Sequence, residues 1–219
     1  MLSIIAVLLV MHVTQLVVYF YIGNPDEFDF IHLLDFDYEG NLPSLYSSLA
    51  IFFSAILLWI IARHASRNGM AFARHWIGLA VIFTFLGVDE ATALHEELGD
   101  IVEASEIFEA TGFLYFAWVV PYGLLLIAFC LSYLKFVLQL PNLYKIQFVV
   151  AGMLFVAGAV GLETISAKEA DLHGAETIYY SFLYTLEELC EMIAIVIFSH
   201  ALLHYIEHEL EDITFKVTH

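Results

Sequence analysis

Residues 76–87 read WIGLAVIFTFLG, and residues 88–98 continue as VDEATALHEEL. An uncharged apolar run of this kind is typical of a helix inside a membrane, yet it leads directly into Asp89, Glu90 and His95. An ionised carboxylate in hydrocarbon is costly, so such groups usually face the interior of a helix bundle, a partner or water. The role of these side chains therefore depends on where the membrane lies.

The composition is that of a membrane protein. The chain has 219 residues, 61% of them hydrophobic, and a mean hydropathy of +0.83, whereas soluble domains are roughly 45–50% apolar. Because a helix needs about 20 apolar residues to cross a bilayer, we predict an all-α, polytopic bundle of six transmembrane helices forming one integral membrane domain, residues 1–219. The predicted spans cover residues 2–22, 45–62, 76–95, 113–136, 146–166 and 178–203.

The basic residues predict an orientation. Only Lys168 would lie on the far side of the membrane from the N-terminus. The six other basic residues share the side of the N-terminus: Arg63, Arg67, Arg74, Lys135, Lys145 and Lys216. By the positive-inside rule we expect both termini in the cytoplasm, in the inner (plasma) membrane, with acidic loops facing the periplasm or the outside. The first span lacks the basic region and cleavage site of a signal peptide, so we expect it to be retained.

The opposite side is acidic, and the formal net charge is −18. This charge argues against nucleic acid as a partner and against docking on anionic headgroups, both of which require basic patches. The first outer loop carries Asp26, Glu27, Asp29, Asp35, Asp37 and Glu39. In the second, Glu103, Glu106 and Glu109 recur every third residue. A short helix on the outer membrane surface and a solvated loop fit that spacing equally well.

A set of polar residues is predicted at central to outer depth inside the membrane. In the last span Tyr184, Glu187, Glu188 and Glu191 follow the i, i+3, i+4, i+7 spacing of one helix face. No Lys or Arg falls within a predicted span at that depth, so these acids are protonated, bind a cation or line a water-filled vestibule. The candidate metal ligands are Asp89, Glu90, His95, Glu163, Glu187, Glu188, Glu191 and His12.

Carboxylate and imidazole ligands without thiolate suit a divalent metal ion such as Fe, Mn, Zn or Ca. The chain lacks the two Glu-x-x-His motifs of helical di-metal carboxylate proteins, so an enzyme of that kind is one interpretation among others. Our leading hypothesis is a divalent-cation site in the outer half of the bundle, in a metal-dependent membrane enzyme. Two alternatives stay open: a proton or cation transporter or channel, and an accessory subunit of a larger membrane complex.

The stretch beyond Glu191 bears on these alternatives. Residues 193–198 read IAIVIF, so the last span is apolar on the cytoplasmic side of the acids. A path across the membrane would need polar groups there, and a dead-end site would not. The expected partners are the lipid bilayer and a metal ion, and the sequence leaves open a homo-oligomer or a larger membrane complex.

Overall fold

The computed structural model describes residues 1–22, 32–105 and 109–210, and all regular elements in these ranges are helical. They include two π-helical segments, Val18–Ile22 and Ala157–Leu162, and a 3₁₀ turn, Gly112–Leu114. The predicted loop acids Asp26, Glu27, Asp29 and Glu106, and Lys216, lie outside the described residues. The helices are α1 (Leu2–Val17), α2 (Leu42–Arg67), α3 (Ala73–Thr92), α4 (Leu94–Ala104), α5 (Val119–Gln139), α6 (Asn142–Val156), α7 (Glu163–His173) and α8 (Ile178–Glu209).

Within the described residues, five helical units are long and apolar enough to cross a membrane: Leu2–Tyr21, Leu42–Arg67, Val119–Gln139, Asn142–His173 and Ile178–Glu209. A sixth is added when α3 and α4 are counted as one bent span. The prediction of an all-α chain with several membrane-length helices is confirmed. The third predicted span differs, because the apolar run does not continue as one straight helix.

The break between α3 and α4 bends the chain by 79°. Ala93 adopts φ 53° and ψ 37°, a left-handed conformation that is uncommon for a residue other than glycine. The Thr92 hydroxyl donates to the Val88 carbonyl at 2.7 Å, which closes the last turn of α3. Within the predicted span 76–95, α3 ends at Thr92 and α4 begins at Leu94 after the bend. Of the acids with the three-residue spacing, Glu103 lies in α4, Glu106 lies outside the described residues, and Glu109 follows them without regular structure.

The start of α2 is fixed by a reciprocal cap. Asn41 Oδ1 accepts from the Ser44 N–H at 3.1 Å, and Ser44 Oγ accepts from the Asn41 N–H at 2.9 Å. The side-chain nitrogen of Asn41 also donates to the backbone carbonyls of His32 and Asp35. These bonds hold the preceding loop against the start of α2.

Helix α5 begins at Val119, six residues later than the predicted start at residue 113. Pro121 explains the difference, because proline is tolerated in the first turn of a helix, where its missing N–H needs no partner. The residues before α5 form short turns, and they are free to contribute side chains to a site.

One end of the bundle is closed by aromatic packing. Trp76 is 2% exposed, and its ring lies 4.9 Å from both Phe136 and Tyr205 and 6.1 Å from Phe148. These residues bring together α3, α5, α6 and α8 at the end where Arg67 completes α2. The opposite end of the bundle holds the acids.

Apolar side chains cover the outer surface of the bundle. In α5 only 11% of the most apolar 18-residue stretch is buried, and Leu124 and Leu131 are 65% and 73% exposed. A contiguous apolar surface marks a contact with a membrane or with another protein. It is the surface expected of a helix that faces lipid.

The π-helical segment between α6 and α7 brings the chain close to α8. A Cβ atom at Gly158 would lie 2.9 Å from the Glu187 carbonyl oxygen and 3.2 Å from the Cys190 Cβ. Such contacts leave no room for a side chain. Isolated π-helical turns inside α-helices frequently occur at functional sites.

We expect Gly158→Ala to lower the melting temperature in detergent, because the added methyl group must push α8 away at a cost of about 1–3 kcal/mol. Gly152→Ala is the matched control, since Gly152 lies in α6 and a Cβ atom added there would meet nothing within 4 Å. Thermal unfolding followed by circular dichroism measures both. Equal melting temperatures for the two variants would show that the close approach is not a constraint.

Candidate functional site

A cavity of about 490 Å³ lies at the end of the bundle opposite the aromatic core. Its walls come from the loop before α2, from α3, α4 and α8, from the turns before α5, and from the π-helical segment with the first residue of α7; α2, α5 and α6 each add one residue. Glu96, Asp100 and Glu103 of α4 are exposed and form a rim, whereas Asp89 and Glu187 are buried deeper in the bundle. Water therefore reaches the rim more readily than the inner wall.

The cavity is strongly acidic. Its single imidazole is His95, and no Lys or Arg is among the described residues that line it. Eleven carboxyl side chains contribute to its walls: Asp37, Glu39, Asp89, Glu90, Glu96, Asp100, Glu103, Glu163, Glu187, Glu188 and Glu191. Buried carboxylates need hydrogen bonds, an opposite charge or a bound cation to offset the loss of hydration.

Three side chains at the rim stand close enough to hold one ion. One potential ligand atom each from Glu39, His95 and Glu96 lies within 4.8 Å of the other two, a closeness that no other three such side chains share in the described ranges. The Nε2 atom of His95 is 3.4 Å from Glu39 Oε1, and its Nδ1 atom is 3.5 Å from Asp89 Oδ2. Glu39 Oε2 is buried without a hydrogen-bond partner.

Two carboxyl groups face each other on the inner wall. Glu163 and Glu187 lie within hydrogen-bonding reach of one another, and the Trp118 indole N–H donates to Glu163 Oε1 at 3.2 Å. Glu187 is only 9% exposed, and its Oε2 has no hydrogen-bond partner. The inner wall therefore holds more acceptors than donors.

Aromatic side chains supply other donors to the cavity. The Tyr122 hydroxyl donates to Asp89 Oδ1 at 3.1 Å, and the Tyr180 hydroxyl donates to Asp37 Oδ1 at 2.9 Å. The sequence interpretation missed Trp118 and Tyr122, because no charge or spacing pattern distinguishes them from other aromatic residues near a membrane surface.

The loop that carries Asp37 and Glu39 is held by α1. The Phe36 N–H donates to His12 Nδ1 at 3.3 Å, and the opposite ring nitrogen, Nε2, lies 2.9 Å from Thr185 Oγ1. The His12 side chain is fully buried, and both of its ring nitrogens are occupied by protein groups. Gln15 adds a bond from its Nε2 to Asp35 Oδ2 at 3.1 Å.

The structure brings most of the predicted site residues to the cavity, but not all of them. His12 lies outside the cavity, and of the others only His95 belongs to the close group at the rim. Of its two companions, Glu39 was predicted to be a loop acid, and Glu96 comes directly after the predicted end of the third span. The predicted residues that line the cavity are Asp89, Glu90, His95, Glu163, Glu187, Glu188 and Glu191.

In the part of the chain that the structure describes, fold and cavity together define an all-α membrane protein with five or six helices of membrane length and an acidic cavity at one end of the bundle. Its sequence matches the family described as a domain of unknown function, DUF8692, over residues 1–206, and the chain belongs to that family. Neither a curated protein nor a solved structure gives a significant match.

Titration of the Glu39 carboxyl makes the stability of the folded protein depend on pH. Burial raises the pKa of Glu39 to about 7, His95 opposes the rise, and Glu96 and Asp89 add to it. In the unfolded chain this carboxyl titrates at about 4.3. The folded state thus keeps a proton that the unfolded state has released, so the stabilisation is complete below the unfolded pKa and is lost as the pH rises to about 7.

We therefore expect the melting temperature of the metal-free protein to fall between about pH 5 and pH 8, and to fall less in Glu39→Gln. Thermal unfolding in detergent with a chelator present measures both slopes. Glu97→Gln serves as the control, because Glu97 is exposed and does not line the cavity. Parallel curves for wild type and Glu39→Gln would contradict this role of Glu39.

Proposed function

We propose that this chain is a membrane protein that binds a divalent metal ion at the rim of its cavity through Glu39, His95 and Glu96. The observation that carries the proposal is the close approach of their ligand atoms, all within 4.8 Å of one another. One imidazole and two carboxylates, without thiolate, suit Zn²⁺, Mn²⁺ or Fe²⁺. The nitrogen donor disfavours Ca²⁺, which prefers a shell of oxygen ligands.

Asp89 would orient the imidazole. Proteins commonly fix a metal-binding histidine by pairing its second ring nitrogen with a carboxylate. Here His95 Nδ1 is 3.5 Å from Asp89 Oδ2, which leaves Nε2 toward Glu39. The Tyr122 hydroxyl holds the other oxygen of Asp89, so the carboxylate itself is positioned.

The cavity supports an enzyme rather than a purely structural metal site. Three protein ligands leave coordination positions free for water or substrate, as in catalytic zinc centres. Its volume of about 490 Å³ is within the range of small-molecule sites. A metal ion held by Glu39, His95 and Glu96 would supply Lewis acidity and would make a bound water more acidic. Glu90, Glu163 and Glu187 line the same space and are available to accept or donate protons.

The interior below the cavity argues against the transport alternative. The Phe198 ring lies 4.6 Å from Phe83 and 4.8 Å from Phe148. A buried hydrogen bond of 2.8 Å joins Ser54 and Ser199 at this level, so both hydroxyls are already paired. Conduction needs a continuous polar path, and this packing instead supports a cavity that ends inside the bundle.

We further propose that the cavity faces the periplasm or the outside from the inner membrane. Arg67 at the end of α2, Arg74 in the first turn of α3 and Lys145 in the first turn of α6 lie at the opposite end of the bundle. Cytoplasmic loops carry an excess of such residues. The acidic rim would then attract cations from outside by electrostatic focusing.

Metal titration tests the rim site directly. We expect chelator-treated protein in detergent to bind about one Mn²⁺ or Zn²⁺ per chain at the rim, and Glu39→Gln or Glu96→Gln to weaken that affinity about tenfold or more, because each variant removes a charged ligand. Isothermal titration calorimetry and metal analysis measure affinity and stoichiometry. Glu97→Gln is the matched control and should retain wild-type affinity. Negligible binding by wild type, or equal binding by Glu39→Gln and Glu97→Gln, would refute the proposal.

The orienting role of Asp89 has a separate test. We expect Asp89→Asn to reduce metal affinity about 10–100-fold at unchanged stoichiometry, because an amide no longer holds His95 as the carboxylate does. Glu90→Gln removes a neighbouring charge from the same cavity without removing an ion-pair partner of His95, and it should have a smaller effect. Calorimetric titration compares the two. A larger loss in Glu90→Gln would mean that overall charge, and not the Asp89–His95 contact, governs affinity.

A further inference from the structure

The cavity is far larger than one metal ion requires. At about 30 Å³ per water molecule, 490 Å³ corresponds to roughly 16 waters. The rim group of Glu39, His95 and Glu96 occupies one part of this space. We call the space next to Glu163 and Glu187 the inner part; Trp118 lines it, with a ring 4.9 Å from the His95 ring, and it has room for an organic ligand.

The charge of the walls limits the class of that ligand. Carboxyl groups line the cavity on several sides, and no Lys or Arg is present among its described lining residues. A phosphate or a carboxylate placed at Glu163 and Glu187 would meet like charges, which costs several kcal/mol at a desolvated contact. The walls favour a cation.

A buried carboxylate oxygen without a hydrogen-bond partner indicates which chemical group the cation must carry. Glu187 is 9% exposed, lines the cavity, and has no protein donor at Oε2. Glu163 beside it already accepts from the Trp118 indole. A buried carboxylate oxygen is stabilised by an N–H or O–H donor or by a metal ion. Glu187 belongs to no group of three metal-ligating side chains within 4.8 Å in the described ranges, so a donor fits this position better than an ion.

The wall next to this acceptor is aromatic. Tyr115, Phe116, Trp118 and Tyr122 all line the cavity from the turns before α5 and its first turn. The Trp118 hydrogen bond to Glu163 holds the indole beside the paired carboxyls. Aromatic rings next to carboxylates suit an alkylammonium ion, whose carbon atoms contact the rings while its charge is balanced by the acids.

We infer that the inner part of the cavity binds a small organic ammonium ion with at least one N–H, such as a primary alkylamine, through Glu187 and the aromatic wall at Trp118. The ammonium group donates to Glu187 Oε2, on the side of the Glu187 carboxyl that does not face Glu163. This inference goes beyond the proposed metal site and does not depend on it, because the two sites use different carboxylates.

Three probes of similar size separate the contributions of charge and hydrogen bonding. n-Butylammonium has N–H donors, tetramethylammonium has the same number of heavy atoms and no donor, and butyrate carries the opposite charge. We expect metal-free wild-type protein in detergent to bind n-butylammonium about tenfold or more tightly than tetramethylammonium, because a charge-assisted hydrogen bond is gained, and not to bind butyrate. Isothermal titration calorimetry measures the affinities.

Two variants locate the binding. Glu187→Gln should weaken n-butylammonium binding about tenfold or more, whereas Glu103→Gln, which removes one exposed carboxylate from the rim of the same cavity, should leave it close to wild type. Equal affinities for the two ammonium ions in wild type would overturn the inference even if Glu187→Gln does not fold. Absence of n-butylammonium binding would also overturn it, and would indicate a proton shared between Glu163 and Glu187 instead. Equal losses in the two variants would overturn it as well.

The proposals for the metal site and for the amine site can be refuted independently of each other. Glu187→Gln should keep wild-type Mn²⁺ affinity at the rim, and Glu39→Gln should keep n-butylammonium binding. If Mn²⁺ does not bind wild type while n-butylammonium does, the proposed metal function falls and the amine site stands. The reverse result removes the amine site alone.

Discussion

Negative charge that lacks a positive partner is the constraint on which the rest of this structure depends. Carboxyl groups from four helices and a loop meet in one cavity, and no Lys or Arg is among its described lining residues. Each buried carboxylate must recover some of the hydration it loses. Trp118, Tyr122 and Tyr180 each donate a hydrogen bond to one acid, and His95 stands between Asp89 and Glu39. These donors do not satisfy every buried carboxylate oxygen, because Glu39 Oε2 and Glu187 Oε2 are left without a hydrogen-bond partner.

Local departures from regular helix bring the acids together. The left-handed Ala93 turns α4 across the end of the bundle and places Glu96 at the rim. The π-helical segment with Gly158 lets the chain approach the Glu187 backbone, which sets Glu163 opposite Glu187. Buried His12 holds the loop that carries Glu39. Irregular backbone is tolerated at membrane depth where it lines a cavity or is buried in protein, and here it does both.

The sequence predicts the helices and the acids that lie in them, and little of how the helices are placed relative to one another. Apolar runs of about 20 residues predicted helices close to those observed and placed Glu90, Glu163 and Glu191 in them, and all three line the cavity. Hydropathy reports depth and does not report the rotation of a helix or the path of a loop. For this reason it could not distinguish His12, which faces a loop and α8, from His95, which faces the cavity. Nothing local predicts that an alanine adopts the left-handed conformation of Ala93, so the sequence gives no sign of the rim formed by α4.

The position of His95 decides between an internal ion pair and a metal centre, because an imidazole between two carboxylates fits both descriptions. Anomalous diffraction from crystals grown with Mn²⁺ or Zn²⁺ distinguishes the two most directly. A metal centre predicts one strong anomalous peak at about 2.0–2.2 Å from His95 Nε2, Glu39 and Glu96. A map without such a peak, in which His95 remains paired between Asp89 and Glu39, would contradict a metal site and leave the imidazole as the counter-ion of the cavity.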